Sequence, residues 1–231
     1  VRRDVIAEFL GSLLLAAAII GSGIMAERLA AGNGAVALLG NTLATVTVLA
    51  VIITLFAPIS GAHFNPAITL VAFADKRVSL GRAATYITAQ IAGCCAGAIL
   101  AHAMFELPLI QSSTHERVGA AQWIAEIVAT TGLVVVAFTS TSANEAAWRV
   151  PAWIAGAYWF TASTSFANPA ITIGRSLTDT FSGIRPQDAP GFIGAQLAGA
   201  LVGVLLLRVL FRTGGRWSRS ASVAALTEKV E

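Results

Sequence analysis

Asn65-Pro66-Ala67 and Asn168-Pro169-Ala170 are one tripeptide written twice, and its chemistry is that of a hydrogen-bonding helix start. Proline is accommodated in a helix's first turn, where its missing N–H has no partner to lose, and asparagine just before it is a favoured cap. A capping asparagine uses its carbonyl oxygen and keeps amide N–H groups to offer to a passing molecule. The helix end behind it carries about half a positive charge. Two such ends facing each other would bind neutral hydrogen-bonding solutes, repel cations and break the donor direction of a file of water.

Other reactive side chains are sparse. Glu8 and Glu126 are the acids that fall well inside apolar stretches, where a carboxylate is costly unless hydrogen-bonded. They read either as a proton relay or, more economically, as structural acids accepting hydrogen bonds from irregular backbone before each Asn-Pro-Ala. His63 lies two residues before Asn65 and has no histidine counterpart before Asn168. It is a hydrogen-bonded loop residue or a pH gate. His102 and His115 are scattered, and with no Cys or Glu grouping there is no metal site. Cys94 and Cys95 are adjacent and cannot bridge each other on a helix. With no Ser/His/Asp grouping and no cofactor motif either, the chain does not read as an enzyme.

The elements that hold these residues are membrane helices. Of 231 residues 56% are apolar and only 12% charged, against about 25% charged in soluble domains. Mean hydropathy is +0.75, and the pI near 9.3 needs no nucleic acid to explain it. Six apolar segments, 5–26, 36–57, 82–105, 122–142, 150–166 and 190–211, each approach the roughly 20 residues that cross a bilayer. Residues 66–74 and 169–178 are too short to cross. At 1.5 Å per residue each reaches ~15 Å, half the hydrocarbon core, and two meeting tip to tip make one broken span.

The two halves echo each other in order: Ala7-Glu8-Phe9 with Ala125-Glu126-Ile127, the two Asn-Pro-Ala copies, and Ala89-Gln90-Ile91-Ala92-Gly93 with Ala195-Gln196-Leu197-Ala198-Gly199. With three spans per half, the second copy enters from the other side, an inverted repeat. Small residues at Gly93, Gly97, Gly191, Gly194, Ala198, Gly199 and Gly203 are expected where helices cross. Arg2, Arg3, Lys76, Arg77, Arg82, Arg149 and every basic residue from Arg208 onward fall on one side, against Arg28, Arg117, Arg175 and Arg185 on the other. That imbalance places both termini in the cytoplasm. Residues 1–212 read as one transmembrane domain, with repeats at about 4–105 and 122–211, and 213–231 as a polar cytoplasmic tail.

Over residues 4–212 the chain resembles the aquaporin and glycerol-facilitator family. The resemblance rests on Ala7-Glu8-Phe9, Ser60-Gly61-Ala62-His63-Phe64-Asn65-Pro66-Ala67, the Ala-Gln-x-x-Gly pairs and Phe166-Ala167-Asn168-Pro169-Ala170. It implies an all-α membrane protein with six transmembrane helices and two half-helices, one pore per subunit and a homotetramer. Cation rejection at facing helix ends is the behaviour of aquaporin-type pores. Carried over by distance from the asparagines, the family's outer constriction falls on Thr45, Gly156, Ser165 and Ile171. Carbonyls of Gly61, Ala62, His63, Thr164, Ser165 and Phe166 would supply acceptors along the path.

One departure is informative. The family normally has arginine directly after the second Asn-Pro-Ala; here Ile171 stands there, and Arg175 follows four residues later. This is similar to a bacterial subgroup lacking that arginine. Arg175 either charges the vestibule or pairs with Asp179 on the next turn. The constriction so inferred is wide, uncharged and weakly polar. The expected function is a passive channel in a bacterial inner membrane for water and small neutral solutes, including glycerol-like polyols and neutral metalloid hydroxides such as arsenous acid. A coupled secondary transporter and a strictly water-selective channel are the alternatives.

Overall fold

The computed structural model describes residues 2–213 and 216–217 of the chain. Eight helices run in the order long, long, half, long, twice over: α1 Arg3–Leu29, α2 Gly34–Ser60, α3 Pro66–Ala74 and α4 Leu80–Met104, then α5 Ala120–Thr139, α6 Ala143–Phe160, α7 Pro169–Arg175 and α8 Ala189–Leu210. The fold is all-helical and membrane-spanning. Five of the six long helices are apolar and long enough to cross a bilayer by composition alone. A two-residue antiparallel pairing, Arg212–Thr213 with Arg216–Trp217, follows α8. Residues 214–215 and 218–231, most of the expected tail, lie outside the described residues.

Local chemistry sets the ends. Asn33 caps α2 by accepting from Ala35 and Val36, and Ser79 caps α4 by accepting from Arg82. Gly61 closes α2 in the left-handed conformation at φ 90°, which glycine adopts without steric cost. Pro66 and Pro169 sit in the first turn of α3 and α7. The repeat extends to packing: α1 lies along α2 and α4, α5 along α6 and α8, and the short helices wedge between the halves against α4 and α8.

Helix backbones approach closely at matched glycines. A Cβ on Gly93 or Gly97 would lie 2.4 Å from the Phe9 or Leu13 carbonyl oxygen of α1. On Gly199 it would lie 2.5 Å from the Ile127 oxygen of α5, and on Gly203 2.8 Å from Val134. Gly191 meets Trp123, but nothing approaches Gly194, and Ala198 is exposed with it. Those two face outward rather than into a crossing of this chain.

Two sequence boundaries need correction. The fifth long helix begins at Ala143, not 150, and ends at Phe160, not 166. Ser142 accepts from Glu145 N at 3.1 Å, and Glu145 pairs with Arg149 at 2.7 Å. The polar start that interrupts the apolar run is therefore a capped first turn. Thr161 is already extended, at φ −107° and ψ 137°. The second half-helix stops at Arg175, not 178, because residues 176–188 instead bond to the α4–α5 connection, as in Gln111 N to Leu177 O and Arg185 N to His115 O.

Candidate functional site

The half-helix tips are tied to each other. Asn65 Oδ1 accepts from Ala67 N at 2.8 Å, and Asn168 Oδ1 accepts from Ala170 N at 3.0 Å. The side-chain amides then cross over: Asn65 Nδ2 donates to Ala167 O and Asn168 Nδ2 to Phe64 O, both at 2.8 Å. Each amide has a second N–H beyond the one used in that crossing.

The loop before each tip bends through left-handed residues, Ala62 (φ 51°) and Phe64 (47°) in the first, Thr164 (59°), Ser165 (51°) and Ala167 (48°) in the second. Side chains beyond glycine seldom adopt this backbone, so it persists only where its surroundings hold it. The buried carboxylates hold it. Glu8, 0% exposed, accepts from Ser60 Oγ, His63 N, Phe64 N and Gln90 Nε2 at 2.6–2.9 Å. Glu126, also 0% exposed, accepts from Phe166 N, Ala167 N and Gln196 Nε2 at 2.6–2.9 Å. The carbonyl oxygens of Gly61, Ala62, His63, Thr164, Ser165 and Phe166 receive none of the bonds that fix the loops. Among the described residues no donor occupies their lone pairs.

Four further residues complete this frame. Gln90 Nε2 also donates to Thr69 Oγ1, and Gln196 Nε2 to Thr172 Oγ1, each at 2.9 Å. The two threonines in turn donate to Asn65 O and Asn168 O at 3.0 and 2.9 Å. Each threonine stands four residues after its asparagine, and the glutamines sit in the repeated Ala-Gln-x-x-Gly. That shared register was the sequence signal for them.

A cavity of about 210 Å³ passes the tips. Toward the face that carries the N-terminus it is lined by Arg77, Arg82, Phe138 and Ser140, then by Gly61, Ala62 and His63. His63 is bonded within the frame: its N–H goes to Glu8, and its ring Nδ1 lies 3.1 Å from Thr69 Oγ1. Past Asn65 and Asn168 the cavity reaches Thr45, Tyr158, Ser165, Phe166 and Ile171. Ser165 Oγ is buried there without a hydrogen-bond partner among the described residues, and Thr45 faces the Tyr158 hydroxyl.

Two sequence placements fail here. Gly156 does not line the cavity; it is exposed on the outer side of α6. The lining residues of α6 are Ala146, Val150, Ile154 and Tyr158, one helical turn apart, and a residue two before Tyr158 points about 200° away. Tyr158, 3% exposed, supplies the wall and brings an aromatic ring to an end of the cavity expected to have none. Arg175 does not pair with Asp179. It is 3% exposed, with its guanidinium carbon 3.4 Å from the Phe166 ring centroid and Nε donating to Ser182 O. Asp179 instead accepts from Thr114 N and Oγ1 at 2.7 and 2.9 Å, which holds its carboxyl below the usual range.

No cluster of His, Cys, Asp or Glu among the described residues could hold a metal ion. A tethered pair of helix tips, open carbonyls and lining hydroxyls can bind and pass small neutral molecules, and among the described residues offers no nucleophile poised beside a base.

The model of the major intrinsic protein family matches residues 1–161. Aquaglyceroporin AqpS of Rhizobium meliloti (strain 1021) is 50% identical over 212 residues, 91% of this chain and 91% of its own length. The lens fiber major intrinsic protein of Gallus gallus is 35% identical over 143 residues, 60% of this chain and 53% of its own. Among solved structures, the aquaglyceroporin from Plasmodium falciparum matches with a TM-score of 0.70 over 90% of this chain and 96% of that one. At 19% identity that likeness is one of fold.

Proposed function

This chain belongs to the major intrinsic protein family, and from that premise we propose that it is a passive channel for water and small uncharged solutes, glycerol-like polyols among them, and not an enzyme. The observation that carries the reading is the cavity itself. It runs past both asparagines to a far end lined by Thr45, Tyr158, Ser165 and Ile171, none of them charged. The unpartnered hydroxyl of Ser165, with the Thr45 and Tyr158 hydroxyls beside it, offers a polyol what water would otherwise supply, and Ile171 with the Tyr158 ring faces its carbon backbone. With no guanidinium in the lumen at residue 171, a solute wider than water has room. Neutral metalloid hydroxides such as arsenous acid fit the same description: small, uncharged and bearing several hydroxyls.

The assembly that suits this reading is a homotetramer in a bacterial inner membrane with both termini cytoplasmic. The exposed apolar faces of α1, α2, α5 and α8 would meet lipid and neighbouring subunits.

Flux into proteoliposomes tests the reading. Water, glycerol and arsenous acid are expected to enter without saturation, with a weak temperature dependence and no response to proton or sodium gradients. Ile171→Arg should reduce glycerol and arsenous acid flux about tenfold or more and water flux less, since a pore-facing charge there removes both width and apolar wall. Gradient-driven accumulation would indicate coupled transport instead, and an unaltered solute ratio in Ile171→Arg would displace the constriction from residue 171.

A further inference from the structure

Two arginines stand behind the far end of the cavity without a carboxylate. Arg175 closes α7, stacked on Phe166. Arg117 comes from the α4–α5 connection; its guanidinium carbon is 5.0 Å from the centroid of the same ring. Its Nε donates to Gly183 O at 2.8 Å and one terminal nitrogen to Ser163 O at 3.4 Å. Among the described residues neither guanidinium forms an ion pair. Asp188 is taken by Arg185 at 3.0 Å and by the Arg117 backbone N–H at 2.9 Å, and Asp179 by Thr114.

The other half of the repeat settles its arginines differently. Phe166 precedes Asn168 as His63 precedes Asn65, and Phe192 stands to Gln196 as Tyr86 stands to Gln90. His63 packs edge-on against Tyr86 and Phe166 against Phe192, with centroids 5.6 and 5.0 Å apart. Arg82 lies over Tyr86 at 5.7 Å, but Asp4 neutralises it with contacts of 2.9 and 2.5 Å. Arg77 is paired with Asp75 at 2.7 Å. Arg77 and Arg82 thus carry their counter-charge, as Arg185 does on the opposite face, whereas Arg117 and Arg175, stacked on Phe166, do not.

Holding cations out of water beside an aromatic ring and carbonyl dipoles offsets their desolvation only in part. The acid that acts electrostatically on both is Glu126, which balances one of two positive charges. A net positive charge therefore remains against the Phe166 ring; beyond it Arg185 is shared by Asp188 and the exposed Glu116, whose charge solvent screens. Phe166 and its loop separate it from bulk solvent, so its field is screened less than that of a charge in an open vestibule.

We infer that Arg117 and Arg175 together supply, from behind the second loop, the positive potential that rejects cations at the otherwise uncharged constriction of Thr45, Tyr158, Ser165 and Ile171. This rests on the channel reading above and extends it. A charge placed behind the wall repels a cation without occupying the lumen, so cation rejection and a wide passage coexist. Both residues are positioning charges that need not touch the permeating solute.

The test is the ratio of cation to glycerol permeability in proteoliposomes, with protons and methylammonium as cation probes. Arg117→Gln is expected to raise the ratio about threefold, and Arg117→Gln with Arg175→Gln about tenfold or more. Arg117→Lys and Arg175→Lys keep the charge and should hold the ratio near that of the unaltered protein. Adding Ile171→Arg to the double glutamine variant should lower the ratio again. Arg117 lies in the α4–α5 connection rather than in a membrane helix, so its single variant carries the test even where the buried Arg175 variant does not insert. An unmoved ratio in Arg117→Gln, or lysine variants that leak as the glutamine variants do, would overturn the inference. Failure of the channel reading shows separately, as water and glycerol flux in the unaltered protein no greater than in empty vesicles.

Discussion

Glu8 takes four donors, from the end of α2, the loop after it and α4, on two carboxylate oxygens. Glu126 takes three, with Phe166 N alone on its Oε1. The difference predicts unequal sensitivity to an isosteric change. In Glu8→Gln an NH₂ on the Oε2 side faces two donors, Phe64 N and Gln90 Nε2, and on the Oε1 side it leaves His63 N unpaired and requires the Ser60 hydroxyl, which already accepts from Ala62 N, to reverse, at about 1–3 kcal/mol per buried group left unpaired. In Glu126→Gln the amide can turn its NH₂ toward the single donor, and only one bond is lost. Thermal unfolding in detergent should therefore fall further for Glu8→Gln than for Glu126→Gln, with flux lost in the same order; equal losses would mean that donor count is not what matters. A proton relay gains nothing from this geometry, since donors on fixed backbone occupy the oxygens. The carboxylates and asparagines were legible because the repeat writes each twice at matching positions. Tyr158 was not, because counting back from Asn168 along an extended loop ignores the phase of the helix where the count ends. Arg117 was not, because its contact with Phe166 joins residues far apart in sequence.

At the scale of elements, the helices were readable wherever apolar length was uninterrupted. α6 was mislocated because Asn144, Glu145 and Arg149 look like a connection, whereas a capped helix end at a membrane face can keep such side chains in water. α7 was drawn too long because Ser176–Thr178 leaves no signature of the pairing that stops it. The glycines of α4 were legible as crossing points and support a graded prediction. Gly93→Ala puts a methyl 2.4 Å from the Phe9 oxygen, while Gly81, near the exposed start of the same helix, has open space around it. Separating α1 from α4 by even a fraction of an ångström disturbs a long contact, at a cost of about 1–3 kcal/mol or more. Gly81→Ala should be neutral or gain up to about 1 kcal/mol from helix propensity. Denaturation of the two variants in matched detergent checks this, and a Gly93→Ala protein as stable as Gly81→Ala would show that α4 does not set its distance from α1 by these glycines.

For the whole molecule, the inverted repeat accounts for the architecture: one supersecondary unit, used twice in opposite senses, brings two half-helix tips together and ties them across the junction. That topology fixes which connections share a face, while the direction of insertion rests on the charge imbalance between the faces. Labelling of single cysteines separates the two. Cys94 and Cys95, both free, are first replaced by serine or alanine. Ser112 and Gln187 are exposed in connections on one face; on the other, Leu80 is exposed at the start of α4 and Thr141 in the α5–α6 connection. In intact cells a membrane-impermeant maleimide should label Ser112→Cys and Gln187→Cys, and reach Leu80→Cys and Thr141→Cys only after permeabilisation. The converse pattern would reverse the orientation and leave the repeat intact. Labelling of Ser112→Cys and Thr141→Cys from the same side would remove α5 as a span, and with it the pairing of half-helices on which the pore depends.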